Sequence, residues 1–324
     1  MALSEFDIIE QYFAPLGDFE GPYTRLGPGD DCAVITPPAG EQLCVSTDTF
    51  IEGIHFPQEV DPAIVAQRSL AAALSDLAAM GSKPVGVTGA ITLPGVAPAW
   101  LSAFSQTLKA CLARWQSPLI GGNISQGRVL SVTWTVLGSV PFEEFISRCG
   151  ASAGADIYVS GWPGRAGLAL AQRLNGETAT KTLAPHYEAP QPRLELGQNL
   201  RGIASAMIDV SDGLLADLQH LLDASGLGAE LDLATLSFDT ILAEAATSEV
   251  AARRVTLTAG DDYELCFTAD SEHRAAIGRL ADVLGLPLTR IGKTQTQAGI
   301  RFLNRPEDLS VDELSRQQGY QHFV

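Results

Sequence analysis

The stretch "IDVSDGLLADL", residues 208–218, constrains the fold of this 324-residue chain more than any other. Ile208 to Val210 is strand-like. Ser211-Asp212 then begin a helix with an apolar stripe of Leu214, Leu215, Leu218, Leu221 and Leu222. A strand that runs directly into an amphipathic helix points to a mixed α/β architecture. Ser211 is placed to N-cap that helix. Capping does not account for two carboxylates, Asp209 and Asp212, at one junction, whereas metal ligation does.

Four other segments repeat the theme. In "GPGDDCAVI" (27–35), Asp30 and Asp31 follow a Gly-Pro-Gly turn and precede an apolar run. In "LCVSTDTFIEGIHF" (43–56), a strand is expected to end in Ser46-Thr47-Asp48-Thr49, a series of oxygen donors of the kind magnesium takes; a polar cap on a strand end is the plainer reading. Asp76 lies inside a helix expected from Asp61-Pro62 to Gly81. Its i±3 and i±4 neighbours are Ala72, Ala73, Ala79 and Met80, so another element can approach closely. An aspartate on such a face needs a compensating partner. "AGDDYELCF" (259–267) adds Asp261, Asp262 and Glu264 at the mouth of a strand, where a solvated acidic turn is the alternative. "LIGGNISQG" (119–127) reads as a glycine-rich turn, and Gly121-Gly122 would let backbone amides approach a phosphate. Five acidic segments at the ends of elements suggest a shared polyanionic pocket. Acids gathered this way raise one another's pKa unless a cation is bound.

Further elements read from periodicity are an amphipathic N-terminal helix, a strand over 85–93 with a glycine for close approach, a helix over 97–115 and a half-buried strand over 129–138. The small, glycine-rich run 147–156 suits a linker, which divides the chain into domains 1–146 and 147–324. In the second half, helices are expected near 164–174, 193–205 and 213–225, and strands near 156–161, 228–232, 264–268, 287–292 and 298–302.

Net charge is -17, which repels nucleic acid and anionic lipid. No run of about 18 apolar residues is present, so no membrane span is expected. The acidic N-terminus does not resemble a secretory signal. Five scattered cysteines, mostly in apolar stretches, read as buried free thiols in a reducing cytoplasm.

In order along the chain, "GPGDDCAVI", "STDTFIEGIHF", "LSDLAAMGSKPVG", "GGNISQG", "DVSDGLLADL", "GDDYELCF" and the ending "GYQHF" (319–323) resemble the thiamine-monophosphate kinase family. That family is part of the superfamily of aminoimidazole ribonucleotide synthetase-like ATP-binding enzymes. The resemblance implies an α/β (α+β) two-domain PurM-like fold, with mixed β-sheets flanked by helices. It implies an N-terminal domain that binds ATP and magnesium and pairs its sheet with a second copy in a homodimer, and a C-terminal PurM-like domain. The implied reaction is phosphorylation of thiamine monophosphate by ATP.

Carried over residue by residue, the resemblance implies magnesium contacts from Asp31, Ser46, Thr47, Asp48, Asp76, Asn123, Asp209 and Asp212. Asp31, Asp76 and Asp212 would be central to catalysis. ATP contacts would come from Gly122, Asn123, Arg148 and Ser211, and His55, Asp261 and Tyr320 would border thiamine monophosphate. The family usually has Gly-Gly-Asp-Thr-Thr-Arg-Gly where this chain has Gly121 to Gly127, so Asn123 replaces a carboxylate and Gln126 an arginine. Asp261 stands where glutamate is usual. Another ATP-using enzyme of the superfamily, or a non-catalytic nucleotide or thiamine-phosphate binding protein, would carry the same carboxylates.

A phosphate monoester has a second pKa of about 6, so the acceptor would need no general base. The expected mechanism is direct transfer without a phosphoenzyme, with magnesium relieving repulsion between the acceptor and the triphosphate.

Overall fold

In this computed structural model the described residues are 3–17, 22–177, 179–236, 240–246, 248–310 and 314. Two compact units emerge, one of residues 1–77 and 82–143, the other of residues 78–81 and 144–324.

In the first unit the N-terminal helical turn expected from sequence runs from α1 (Glu5–Ile8) through a π turn and a 3-10 turn to Leu16, and buries Ile8, Tyr12, Phe13 and Leu16. A short antiparallel pair, β1 (Thr24–Leu26) and β2 (Val34–Ile35), follows. The main sheet holds β3 (Glu41–Ile51), β4 (Lys83–Leu93), β5 (Leu119–Gln126) and β6 (Ser131–Pro141) in the order β3-β6-β4-β5. Its two long helices are α2 (Pro62–Ala79) and α3 (Pro98–Arg114). The start of α2 is the expected Asp61-Pro62 cap: Asp61 Oδ1 accepts from the Ala63 N–H at 2.9 Å. Alternation on β6 is as read, with Val132, Trp134 and Val136 fully buried. The Trp134 indole donates to Ser69 Oγ of α2 at 2.8 Å. Its ring lies across Gly89 of β4, where a Cβ would stand 2.4 Å from a ring carbon, so the close approach expected of that glycine is real.

Two segments differ from expectation. Ser46–Thr49 lie in the middle of β3, because the ladder to β6 continues to Ile51 opposite Ser131. Gly121-Gly122 form strand rather than turn, because residues 119–126 pair in parallel with β4. Gly122 has no room for a side chain: its Cβ would stand 2.2 Å from the Gly89 carbonyl oxygen.

The second unit has a six-stranded sheet of β7 (Asp156–Ser160), β8 (Ala204–Val210), β9 (Gly228–Asp232), β10 (Glu264–Ala269), β11 (Leu288–Gln295) and β12 (Ile300–Leu303), in the order β12-β9-β11-β7-β10-β8. Only the β12–β9 pairing in this order is parallel. All six strands were legible in the sequence. The helices are α4 (Arg165–Leu174), α5 (Ala184–Glu188), α6 (Leu194–Asn199), α7 (Leu214–Ser225), α8 (Thr240–Ala245), α9 (Glu249–Thr258) and α10 (Arg274–Leu284). The helix expected over 193–205 stops at Asn199, because Gly202 takes φ +72° and β8 begins at Ala204. Leu214, Leu215, Leu218, Leu221 and Leu222 of α7 pack on Ile157, Ile208 and Val210 of the sheet, as the apolar stripe requires.

All five cysteines are free. Cys111 and Cys266 are buried, but Cys32 and Cys149 are exposed, because both lie on irregular segments outside the sheets and helices. No helix among the described residues is long and apolar enough to cross a membrane.

Candidate active site

Strand alternation sorts the donors of β3. Ser46, Asp48 and Phe50 share the face that carries Trp134, whereas Thr47 and Thr49 point to the other. On the first face, the Ser46 hydroxyl donates to Asp76 Oδ2 of α2, so the small-residue face of that helix admits β3 as expected. Asp48 stands close enough to Asp76 to feel its charge. Burial first, and Asp76 second, push the Asp48 carboxyl up to about 6. On the other face, Thr47 Oγ1 shares a 2.9 Å hydrogen bond with Thr135 Oγ1, so the Thr47 side chain is directed away from the Ser46, Asp48 and Asp76 group.

A cavity of about 680 Å³ lies at the β5 edge of the same sheet, lined by Asp30, Asp31, Gly121, Gly122 and Asn123, with an apolar wall that includes Phe6 and Ile9. Asp30 and Asp31 are exposed, and Asp30 Oδ1 accepts from the Asp31 N–H at 2.8 Å. One cross-strand row, Asp48–Trp134–Gly89–Gly122, spans the sheet between the two groups. Three strand spacings make that about 14 Å. His55, in the turn after β3, accepts the Ile51 N–H on Nδ1 at 3.0 Å and meets the Phe50 ring edge-on at 5.7 Å. Its neutral ring therefore carries the proton on Nε2.

In the second unit Asp209 is buried on β8 opposite Leu265. Ser211 and Asp212 follow it, half-buried, before α7 begins at Leu214. The loop that carries Asp261 is fastened alongside: the Asp261 and Tyr263 N–H groups donate to the Ser211 and Val210 carbonyls, each at 2.8 Å. Ser211, Asp212 and Asp261 are thus on two joined loops, next to Asp209 near the end of β8. Ser211 does not cap that helix: Gly213 holds the N-cap position, and Asp217 Oδ2 accepts from the N–H groups of Ser211, Asp212 and Gly213, which lead into the helix. Asp217 went unnoticed in the sequence, where it is one more acid in the first turn of a helix.

The solvated acidic turn considered for 261–264 is not what forms. Glu264 is 4% exposed and pairs with both Arg193 Nε (2.6 Å) and Arg193 Nη2 (2.5 Å), and the Ser160 hydroxyl donates to it at 2.5 Å. Asp262 caps α4 by accepting from the Gly164 N–H at 2.7 Å. Arg148 is exposed, and its carbonyl accepts from Ser225 Oγ at 3.2 Å. Tyr320 and the ending 319–323 lie outside the described residues.

The donors suit a hard cation that brings ligands with it. No three Asp, Glu, His or Cys side chains among the described residues gather closely enough to hold a metal ion by themselves. Magnesium usually takes one or two protein carboxylates and completes its shell with water and substrate phosphates. Asp48 and Asp76, two mutually repelling oxygen donors with a serine hydroxyl beside them, match that demand.

Comparison with known proteins gives the same direction. Residues 29–140 match AIR synthase related protein, N-terminal domain, and residues 152–303 match AIR synthase related protein, C-terminal domain. The thiamine-monophosphate kinase of Escherichia coli (strain K12) is 42% identical over 330 residues, covering 100% of this chain and 99% of that one. The solved thiamine-monophosphate kinase from Stenotrophomonas maltophilia K279a superposes with a TM-score of 0.85 at 40% identity, covering 93% of this chain and 97% of that one. AaThiL complexed with AMPPCP and TMP superposes with a TM-score of 0.75 at 25% identity, covering 95% of this chain and 97% of that one.

Proposed function

The chain belongs to the thiamine-monophosphate kinase family, and from that membership we propose that it transfers the terminal phosphoryl group of ATP to thiamine monophosphate, giving thiamine diphosphate. The observation that carries this reading is the end-to-end match to named kinases. The family's metal-binding positions Ser46, Asp48 and Asp76 meeting around one group support it.

The acceptor is a phosphate monoester whose second pKa is about 6, so it arrives largely as a dianion and needs no base to activate it. The barrier is repulsion between that dianion and the triphosphate. Magnesium supplies charge neutralisation and a template for in-line geometry when bound. The residues that would hold magnesium ions fall into separate groups: Ser46, Asp48 and Asp76 at one place in the first unit, Asp31 and Asn123 at its β5-edge cavity, and Asp209 and Asp212 in the second unit. Thr47, with its hydroxyl committed to Thr135, is left out of the side-chain set. Gly122, Asn123, Arg148 and Ser211 contact the nucleotide, and the bare backbone at Gly122 suits close approach of a phosphate. His55 and Asp261 border thiamine monophosphate. Transfer is direct, with no covalent phosphoryl-protein.

Two copies pair through the open face of the first unit's sheet and the enzyme works in the cytoplasm. The exposure of Val45 (62%) and Leu43 (42%) beside the threonine pairs of β3 and β6 supports that pairing. The neutral amide of Asn123, where the family has a carboxylate, favours one second reading, a non-catalytic binding protein.

A coupled assay of ATP consumption, with thiamine monophosphate present or absent and magnesium present or absent, tests the proposal. Thiamine diphosphate formed only when all three are present is the expected result. ATP and thiamine monophosphate left unchanged with magnesium present would overturn it. A trapped phosphoryl-protein would overturn direct transfer alone.

A further inference from the structure

We propose that Asp217 is a positioning residue for the metal–nucleotide site. Its buried carboxylate holds the backbone of Ser211–Gly213, and so the placement of Asp212 relative to Asp209, which the β8–β10 ladder already fixes, without itself touching a ligand. The inference rests on the functional reading above for what that loop binds. The geometry of the loop stands independently.

Asp217 is 3% exposed, in the first turn of α7. A single oxygen, Oδ2, accepts from the N–H groups of Ser211 at 3.0 Å, Asp212 at 3.0 Å and Gly213 at 3.1 Å. The Asp217 N–H returns a bond to the Gly213 carbonyl at 3.0 Å. Burial first, and the Asp212 charge second, push the Asp217 carboxyl up to about 7, against the three accepted bonds that favour its charged form. Oδ2 can accept from the three N–H groups in either form, so the hold on the loop rests on geometry. The other side of the loop is also held. The Val210 and Ser211 carbonyls accept from Tyr263 and Asp261, which take φ values of +51° and +69° to make those bonds. Non-glycine residues rarely adopt that region unless their surroundings impose it. Gly213 takes φ +123°, and a Cβ there would stand 2.7 Å from the Thr258 carbonyl oxygen, so the loop has no slack on that side.

With the 261–263 backbone fixing the carbonyls and Asp217 fixing the amides, the segment between the two proposed ligands Asp209 and Asp212 is set before any ligand arrives. Groups that orient metal ligands in this way typically change metal affinity or activity by about 10- to 100-fold when removed. Asparagine keeps one acceptor oxygen at the same place but loses the charge, so it should restore part of what alanine removes.

The test compares full-length wild type with Asp217→Ala and Asp217→Asn. Three quantities are measured: Mn2+ affinity in the presence of AMPPCP, the magnesium concentration for half-maximal kinase activity, and the thermal midpoint. Asp217→Ala is expected to weaken Mn2+ binding and raise the magnesium requirement by about 10- to 100-fold, with Asp217→Asn intermediate and closer to wild type in thermal midpoint. Folded variants whose Mn2+ affinity stays within about twofold of wild type would overturn the proposal. If alanine does not fold, asparagine decides by the same criterion. If neither folds, Asp217 serves the fold alone, which also overturns it. Wild type that binds no Mn2+ with AMPPCP would overturn the functional reading itself, whereas wild-type binding with unchanged variants removes only Asp217.

Discussion

Asp48 of β3 stands beside Asp76 of α2, and Asp48 is pushed up to about 6, by burial first and by the Asp76 charge second. The Ser46 hydroxyl already donates to Asp76. A raised carboxyl destabilises the folded chain as pH rises from its ordinary value of 3.8 towards 6, because the unfolded chain ionises it more readily. The pair therefore costs stability at neutral pH in the absence of a cation, which is what a site kept for charge neutralisation looks like.

Replacing Asp76 by asparagine should separate stability from activity. The amide oxygen still accepts from Ser46, and the charge that raises Asp48 is gone. In metal-free buffer at pH 7 the thermal midpoint is expected to match or exceed wild type. Magnesium-dependent phosphorylation should fall by about 10- to 100-fold or more. A lower midpoint combined with full activity would contradict the assignment.

Asn123→Asp tests the cavity at the β5 edge. Asn123 shares that cavity with Asp30 and Asp31, so the substitution adds a third carboxylate to the lining. The half-saturating magnesium concentration is expected to fall several-fold, with turnover equal or higher, because a charged oxygen binds a hard cation more tightly than an amide oxygen. A drop in activity at saturating magnesium would show that this edge is organised around a neutral residue.

Arg193 and Glu264 form a bidentate pair with side chains 21% and 5% exposed. Removing the arginine alone, as Arg193→Met, leaves a buried carboxylate supported by Ser160, and should cost about 3–5 kcal/mol in urea unfolding. The double variant Arg193→Met with Glu264→Met should recover much of that loss, because no isolated charge remains. A single variant as stable as wild type would show that the pair is well screened.

His186 sets a pH signature for the second unit. Burial first, and the neighbouring Arg165 second, lower its pKa from 6.5 to about 4, and Arg165 Nη1 lies 2.8 Å from its Nε2. The unfolded chain takes up this proton below about 6.5, the folded chain only near 4. Stability should therefore fall as pH drops through that window and level off below it. Comparing wild type with His186→Gln by denaturant unfolding at several pH values isolates the contribution. The difference between them should be larger at pH 7 than at pH 4.5, and a constant difference would refute the assignment.

The sequence made the second unit's strands legible because period-two alternation and short apolar runs are local signals. Motifs at element ends were legible too, since Asp209, Ser211 and Asp212 are neighbours in the chain. What the sequence hid was every feature set by pairing. Ser46–Thr49 look like a strand end until the ladder to β6 shows two more paired residues. Gly121-Gly122 carry turn composition, yet a parallel neighbour on one side draws them into strand. Glu264 reads as part of a solvated acidic turn, and only partners far away in the chain, Arg193 at 71 residues and Ser160 at 104, show otherwise.

By itself, the order of residues determined which elements form, the mixed α/β class and the identity of the oxygen donors, because those depend on side-chain type and on spacings of two to four positions. Only the tertiary structure decided which donors meet. Register sent Asp48 towards Asp76 and Thr47 towards Thr135, and the turn of α7 brought Asp217 back under the amides of Ser211, Asp212 and Gly213. The reason is geometric. A one-residue change in strand pairing moves a side chain to the opposite face of a sheet, and the backbone bonds that set the pairing come from residues far away in the chain.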